Sequence, residues 1–111
     1  MERVMEIVRG LDESQVGQTI FKQFGGNRAM AMLGGQAMVI DGGRGLGIKW
    51  PHKQRSKGNY VEIHLDSDDT YTMTFYNLSI RAKKKVKEYK GIYADKLRDV
   101  FEDQTGWKLR L

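Results

Sequence analysis

The chain has 111 residues, enough for one domain that buries about two thirds of the surface its unfolded form would expose. It carries a net charge of +5 and no cysteine, which excludes a disulfide scaffold and a thiolate metal centre. Its longest apolar stretch, residues 29–40, is interrupted by Gly34, Gly35 and Gln36 and is shorter than the ~20 residues of a membrane helix.

The start, Met-Glu-Arg-Val-Met-Glu, is acidic where a secretory signal is basic, so the sequence predicts a soluble protein of a reducing cytoplasm. A first short helix is expected at about residues 2–9, on the spacing of Val4, Ile7 and Val8 ahead of Gly10. A second, at residues 12–25, has a capping box (Asp12, Gln15) and a hydrophobic staple (Leu11, Val16). Val16, Ile20, Phe21 and Phe24 form its stripe, and Gly25-Gly26 ends it.

Residues 30–33 and 37–40 are two apolar runs around Gly34-Gly35, too short between glycine pairs for a self-standing helix, and are expected to be hairpin strands. Residues 46–50 form a further strand, ended by Pro51, and 52–59 a polar, basic loop. The clearest pattern follows. Val61, Ile63 and Leu65 share one face of a strand, Tyr71, Met73 and Phe75 share one face of the next, and Asp66-Ser67-Asp68-Asp69 turns between them.

Residues 80–89 read as a lysine-guarded edge strand, with Ile80, Ala82 and Val86 on one side and Lys83, Lys85 and Lys87 on the other. A last helix, residues 92–105, buries Tyr93, Leu97, Val100 and Phe101, with Gly106 as its cap and Trp107, Leu109 and Leu111 in a returning tail. The expected fold is a single α+β domain over residues 1–111. An antiparallel sheet of five or six strands is covered on one face by the N-terminal and C-terminal helices, and its other face is solvated and basic.

Three segments carry a resemblance. They are residues 19–32 with Gly25-Gly26-Asn27, residues 60–75 opening on Tyr60-Val61-Glu62-Ile63, and residues 93–106 opening on Tyr93-Ala94-Asp95-Lys96-Leu97. Together they resemble a family of small bacteriophage and prophage proteins without an assigned activity. The family's usual Met-Thr-Gly-Ala is Met32-Leu33-Gly34-Gly35 here, and the 2–9 helix has no counterpart in it. The resemblance implies a phage setting in a bacterial cytoplasm and transfers no catalytic residue.

The chemistry-bearing patterns are few. The 66–69 turn lacks the glycine of a calcium loop, because Tyr71 stands in its place, and Asp and Ser at these positions make tight turns by bonding their own backbone. His52 and His64 lie in different elements with neither a third metal ligand nor a nucleophile in evidence, so no metal, cofactor or catalytic residue is expected; general acid/base cleavage of RNA is the weaker alternative. Residues 42–47 match neither dinucleotide nor P-loop spacing, although glycines beside Arg44 can let backbone amides approach a phosphate.

Charge is the stronger signal. Residues 42–61 hold five cations (Arg44, Lys49, Lys53, Arg55, Lys57) and no acid, and residues 70–87 hold five more (Arg81, Lys83, Lys84, Lys85, Lys87) and no acid. The remainder of the chain is correspondingly acidic. Cations interleaved with Trp50, Tyr60, Tyr76 and Tyr89 suit a phosphate backbone with stacked bases.

The sequence therefore points to a non-enzymatic nucleic-acid-binding protein. The binding residues are Lys49, Lys53, Arg55, Lys57, Arg81, Lys83, Lys85 and Lys87, with Trp50 and Tyr76 as stacking candidates. Single strands are favoured because neither main helix has a basic face. The rival reading is a phage protein that binds a host or anti-phage defence protein through the same surface, and a homo-oligomer is compatible with both.

Overall fold

The computed structural model describes residues 15–51 and 57–109. Five strands form one antiparallel meander in sequence order: β1 (Gln36–Ile40), β2 (Gly45–Lys49), β3 (Tyr60–Leu65), β4 (Tyr71–Leu78) and β5 (Lys83–Ile92). Helices α1 (Val16–Phe24) and α2 (Gly26–Leu33) precede the sheet, and α3 (Leu97–Thr105) follows it. This is the α+β class expected from the sequence. Among the described residues no helix is long and apolar enough to cross a membrane.

Alternation dictates which face the helices cover. Leu46 and Ile48 of β2, Val61 and Ile63 of β3, and Tyr71, Met73 and Phe75 of β4 are all buried beneath α1 and α3, together with Ile20, Phe24, Leu97 and Phe101. Aromatic rings meet edge-to-face at the centre, Phe24 on Phe101 at 5.3 Å and Trp50 on Phe101 at 4.8 Å. Two hydroxyls tie sheet to helices: Tyr71 donates to Gln23 of α1 and Tyr89 to Gln104 of α3, each at 2.6 Å.

Helix α1 lies close on β2 because Gly17 has no side chain. A Cβ there would stand 2.4 Å from the Gly45 carbonyl oxygen and 2.9 Å from Val39 Cγ1.

Three expectations are corrected. Residues 30–33 are helical, as part of α2, since burial of Ala29, Met30 and Leu33 stabilises a helix that would not stand alone. The last strand starts at Lys83 rather than at residue 80, because Ser79 makes a turn in which its N–H and hydroxyl oxygen bond Ala82, and Ile80 sits on that turn in solvent. The strand runs on to Ile92, so the closing helix begins only at Leu97 after a 3₁₀ turn, Ala94–Lys96. Among the described residues the sheet has five strands, within the expected five or six. The 2–9 helix, the capping residues Leu11 and Asp12, and Leu111 lie outside the described residues. The tail does return: Leu109 is buried, and its N–H donates to Glu102 at 2.6 Å.

Candidate nucleic-acid interface

An antiparallel meander places alternate connections at the same end of the sheet. Lys49 pairs with Tyr60, Tyr60 with Tyr76, and Leu78 with Lys83, so the β2–β3 connection and the β4–β5 turn emerge side by side. Each lies within one of the two acid-free segments. The turns at the other end, around Asp41 and at residues 66–69, carry the carboxylates. The sheet is therefore polar along its strands, with a basic and an acidic end.

One residue fastens the basic end. Asn59 is only 5% exposed; its Nδ2 donates to the Leu78 carbonyl at 3.0 Å, and its Oδ1 accepts from the Leu78 N–H at 2.7 Å. Its backbone bonds both neighbours as well, accepting from Trp50 N–H and donating to the Tyr76 carbonyl. The β2–β3 connection and the β4–β5 hairpin are thus joined through a single residue, by both its side chain and its backbone. Sequence reasoning passed over Asn59, because an asparagine after Gly58 reads as an ordinary turn residue.

The expected binding residues divide into four groups. Lys49 and Arg81 are exposed at the basic end with Lys57 half-buried beside them, and Lys84, passed over at the sequence level, is exposed there too. Among the described residues these four form no salt bridge. Lys53, Arg55 and His52 lie outside the described residues, between Pro51 and Lys57, which are both at this end.

Lys83 and Lys85 lie on the sheet face opposite the described helices and are already engaged. Lys83 Nζ donates to Glu62 Oε2 at 2.7 Å and stands 4.5 Å from the centre of the Tyr76 ring; Lys85 bridges Glu88 at 3.3 Å. Glu62 also accepts from the Tyr60 hydroxyl at 3.1 Å. Partial burial works to raise the Glu62 carboxyl, but the hydrogen bonds from Lys83 and Tyr60 outweigh it and hold the carboxyl below its ordinary value. The same bond from Lys83 to Glu62 raises the lysine's own pKa. Tyr60 is pushed up, first by burial and then by the Glu62 charge. This face, expected to be basic, is instead an ion-paired surface of both signs. Tyr76 is half-buried on it, 6.0 Å from Tyr60, with the Lys83 ammonium over its ring.

Lys87 and Trp50 are corrected outright. The pairing of β4 with β5 shifts by one residue between Phe75 and Tyr76, a bulge that breaks the alternation. Lys85 stays opposite Tyr76 on the open face, whereas Lys87 falls opposite Phe75 on the helix side, with Nζ 5.7 Å from the Tyr89 ring. Lys83, Lys85 and Lys87 therefore do not share a face. Trp50 is 3% exposed and packed between Phe75 and Phe101, a core side chain that offers no stacking surface.

The remaining sequence candidates belong to the acidic end. Arg44 and its glycines lie there, with Arg44 Nε donating to the Asp41 carbonyl at 3.3 Å, remote from the other cations. His64 stands between Asp41 (Nδ1 to Oδ2, 3.0 Å) and Glu62 (Nε2 to Oε1, 3.7 Å). Asp68 accepts from both the N–H and the hydroxyl of Thr70, which hold its carboxyl below the ordinary value, and Asp66 accepts from the Thr72 hydroxyl. The acidic loop spends these carboxylates on its own turn. Among the described residues no three acidic or histidine side chains are arranged to hold a metal ion.

Comparison of the chain with protein-family models, with curated proteins and with solved structures finds no match in any of the three.

Proposed function

We propose that this is a non-enzymatic nucleic-acid-binding protein, phage-encoded and acting in the bacterial cytoplasm, that takes single strands at the basic end of its sheet. The observation that carries the reading is the side-by-side emergence of the two acid-free segments, latched by Asn59. Lys49, Lys57, Arg81 and Lys84 supply cations without carboxylate partners among the described residues, and Tyr76 with Lys83 supplies an aromatic–cation pair beside them. The helices do not compete for duplex grooves: α1 and α2 each carry one cation, and α3 holds Asp99, Glu102 and Asp103 against Arg98.

The test is fluorescence anisotropy of labelled single-stranded and duplex oligonucleotides from about 50 to 200 mM salt. Four phosphate contacts predict a log–log salt slope near −3 on a single strand, and Lys49→Glu with Arg81→Glu and Lys84→Glu abolishes binding. Lys90→Glu, on β5 toward the acidic end, leaves it intact. Absence of binding at about 50 mM salt overturns the reading.

A second reading, a host or defence protein as partner, is favoured by one observation. Ile80 is fully exposed at the tip of the β4–β5 turn next to Arg81, an apolar anchor amid cations of the kind a protein pocket accepts.

A further inference from the structure

The two edges of the sheet are treated differently. Strand β5 carries Lys83, Lys84, Lys85, Lys87 and Lys90, the charges that discourage a further strand from pairing. Strand β1, at the opposite edge, is Gln36-Ala37-Met38-Val39-Ile40 and has none. Met38 and Val39 are 49% and 45% exposed, and an apolar groove between α1 and this edge is lined by Phe21, Ala37, Val39 and Leu46. An uncharged, apolar edge, unpaired among the described residues, is a surface built to be covered.

We propose that a second copy of the chain covers it, β1 pairing antiparallel with β1 about a two-fold axis through Met38, so that two sheets become one of ten strands. Full overlap of the five residues places Gln36 opposite the partner's Ile40, Ala37 opposite the partner's Val39 and the two Met38 residues opposite each other. Met38 pairs with Gly47 on the open face, where the Tyr60 ring fills the space that a Gly47 side chain would take, so the two methionines meet across the axis beside the Tyr60 rings. Ala37 and Val39 pair with the core residues Ile48 and Leu46, so their side of the new seam continues the apolar groove.

Charge selects this occupant over an arbitrary strand. The two-fold reverses strand direction, so the basic end of each copy stands beside the acidic end of the other. Lys49, exposed next to Gln36, comes one strand away from the partner's Asp41, exposed just beyond Ile40, and the symmetry repeats the approach. The pairing does not depend on which ligand the basic end takes.

Sedimentation velocity of the full chain over about a hundredfold range of concentration is expected to show a monomer–dimer equilibrium. Met38→Lys places two ammonium groups across the axis and raises the dimer dissociation constant at least about tenfold, while far-UV circular dichroism shows the variant folded. A second variant keeps the test independent of that charge. The chain has no cysteine, so Met38→Cys introduces a single thiol, and paired Cα atoms at about 5 Å across the axis form an intermolecular disulfide under mild oxidation. Lys84→Cys on the guarded edge is the reference. A wild-type chain that is monomeric throughout, a dimer indifferent to Met38→Lys, or cross-linking of Met38→Cys no faster than Lys84→Cys each overturns the proposal. A monomer destabilised by Met38→Lys overturns it in favour of cover from within the chain.

Discussion

Replacing Asn59 by alanine tests whether the basic end is held by one side chain. The substitution removes two hydrogen bonds to Leu78, at 2.7 and 3.0 Å, and leaves the Leu78 N–H and C=O without those partners in a half-buried place. Each bond contributes about 1 kcal/mol net, and each orphaned group adds a desolvation cost that nearby water partly relieves, so the loss is about 2–3 kcal/mol. A chain of this length has an unfolding entropy of about 0.23 kcal/mol/K, which converts that loss into a Tm lower by about 9–13 °C. Thermal and urea unfolding followed by circular dichroism measure it, with the urea slope unchanged if only the native state is weakened.

Asn77 is the control. It is also an asparagine of the β4 end, but its buried Oδ1 has no hydrogen-bond partner among the described residues, so Asn77→Ala stays within about 0.5 kcal/mol of wild type. The argument is refuted if Asn59→Ala melts within about 2 °C of wild type, or if the two alanine variants fall together.

Two further predictions rest on close contacts and on titration. Gly17→Ala drives a methyl into the Gly45 carbonyl and Val39, lifting α1 from β2 at a cost of about 2–3 kcal/mol; a stabilised variant, as helix propensity alone would give, contradicts the packing. Because the Glu62 carboxyl is held below its ordinary 4.5, its contribution is present above that pH and lost as pH falls through the folded value. Because Lys83 is raised above its ordinary 10.5, its contribution is present below that pH and lost as pH rises through the folded value. Lys83→Met therefore flattens both limbs of the Tm–pH curve, and an unchanged acid limb removes Glu62–Lys83 as its source.

The parts of the fold legible in the sequence were those where one physical rule acts alone. Val61-Ile63-Leu65 against Tyr71-Met73-Phe75 is strict alternation with a short polar turn, and the register pairs Val61 with Phe75 and Ile63 with Met73. Residues 30–33 misled because local length argued against a helix that tertiary burial of Ala29, Met30 and Leu33 supports. Trp50 misled through its neighbours. Adjacent to Pro51 and a basic loop it looked like surface, yet Leu46, Ile48 and Trp50 are spaced by two, and that parity already placed the indole with the core.

At the candidate interface the charges were legible and their pairing was not. Which lysine meets Glu62 depends on β3 and β5 both bordering β4, a relation between elements rather than within one. The face that each lysine takes in β5 depended on a bulge that no run of lysines announces.

That bulge is one of two, since the β4–β5 pairing shifts again between Tyr71 and Met73, and β5 spends its ten residues alongside eight of β4. Three consecutive lysines cannot define their own alignment, because β4 meets the same side chain at each. Alignment is fixed at the two ends instead, by the Ser79–Ala82 turn and by Ile92 opposite Tyr71, and the surplus residues take up the difference. The edge strand thus carries slack between two fixed points. Loss of a single codon there, ruinous in the middle of most strands, is expected to turn a bulge into regular pairing and leave both fixed ends in place, at Val86 with the loss of its packing on the core.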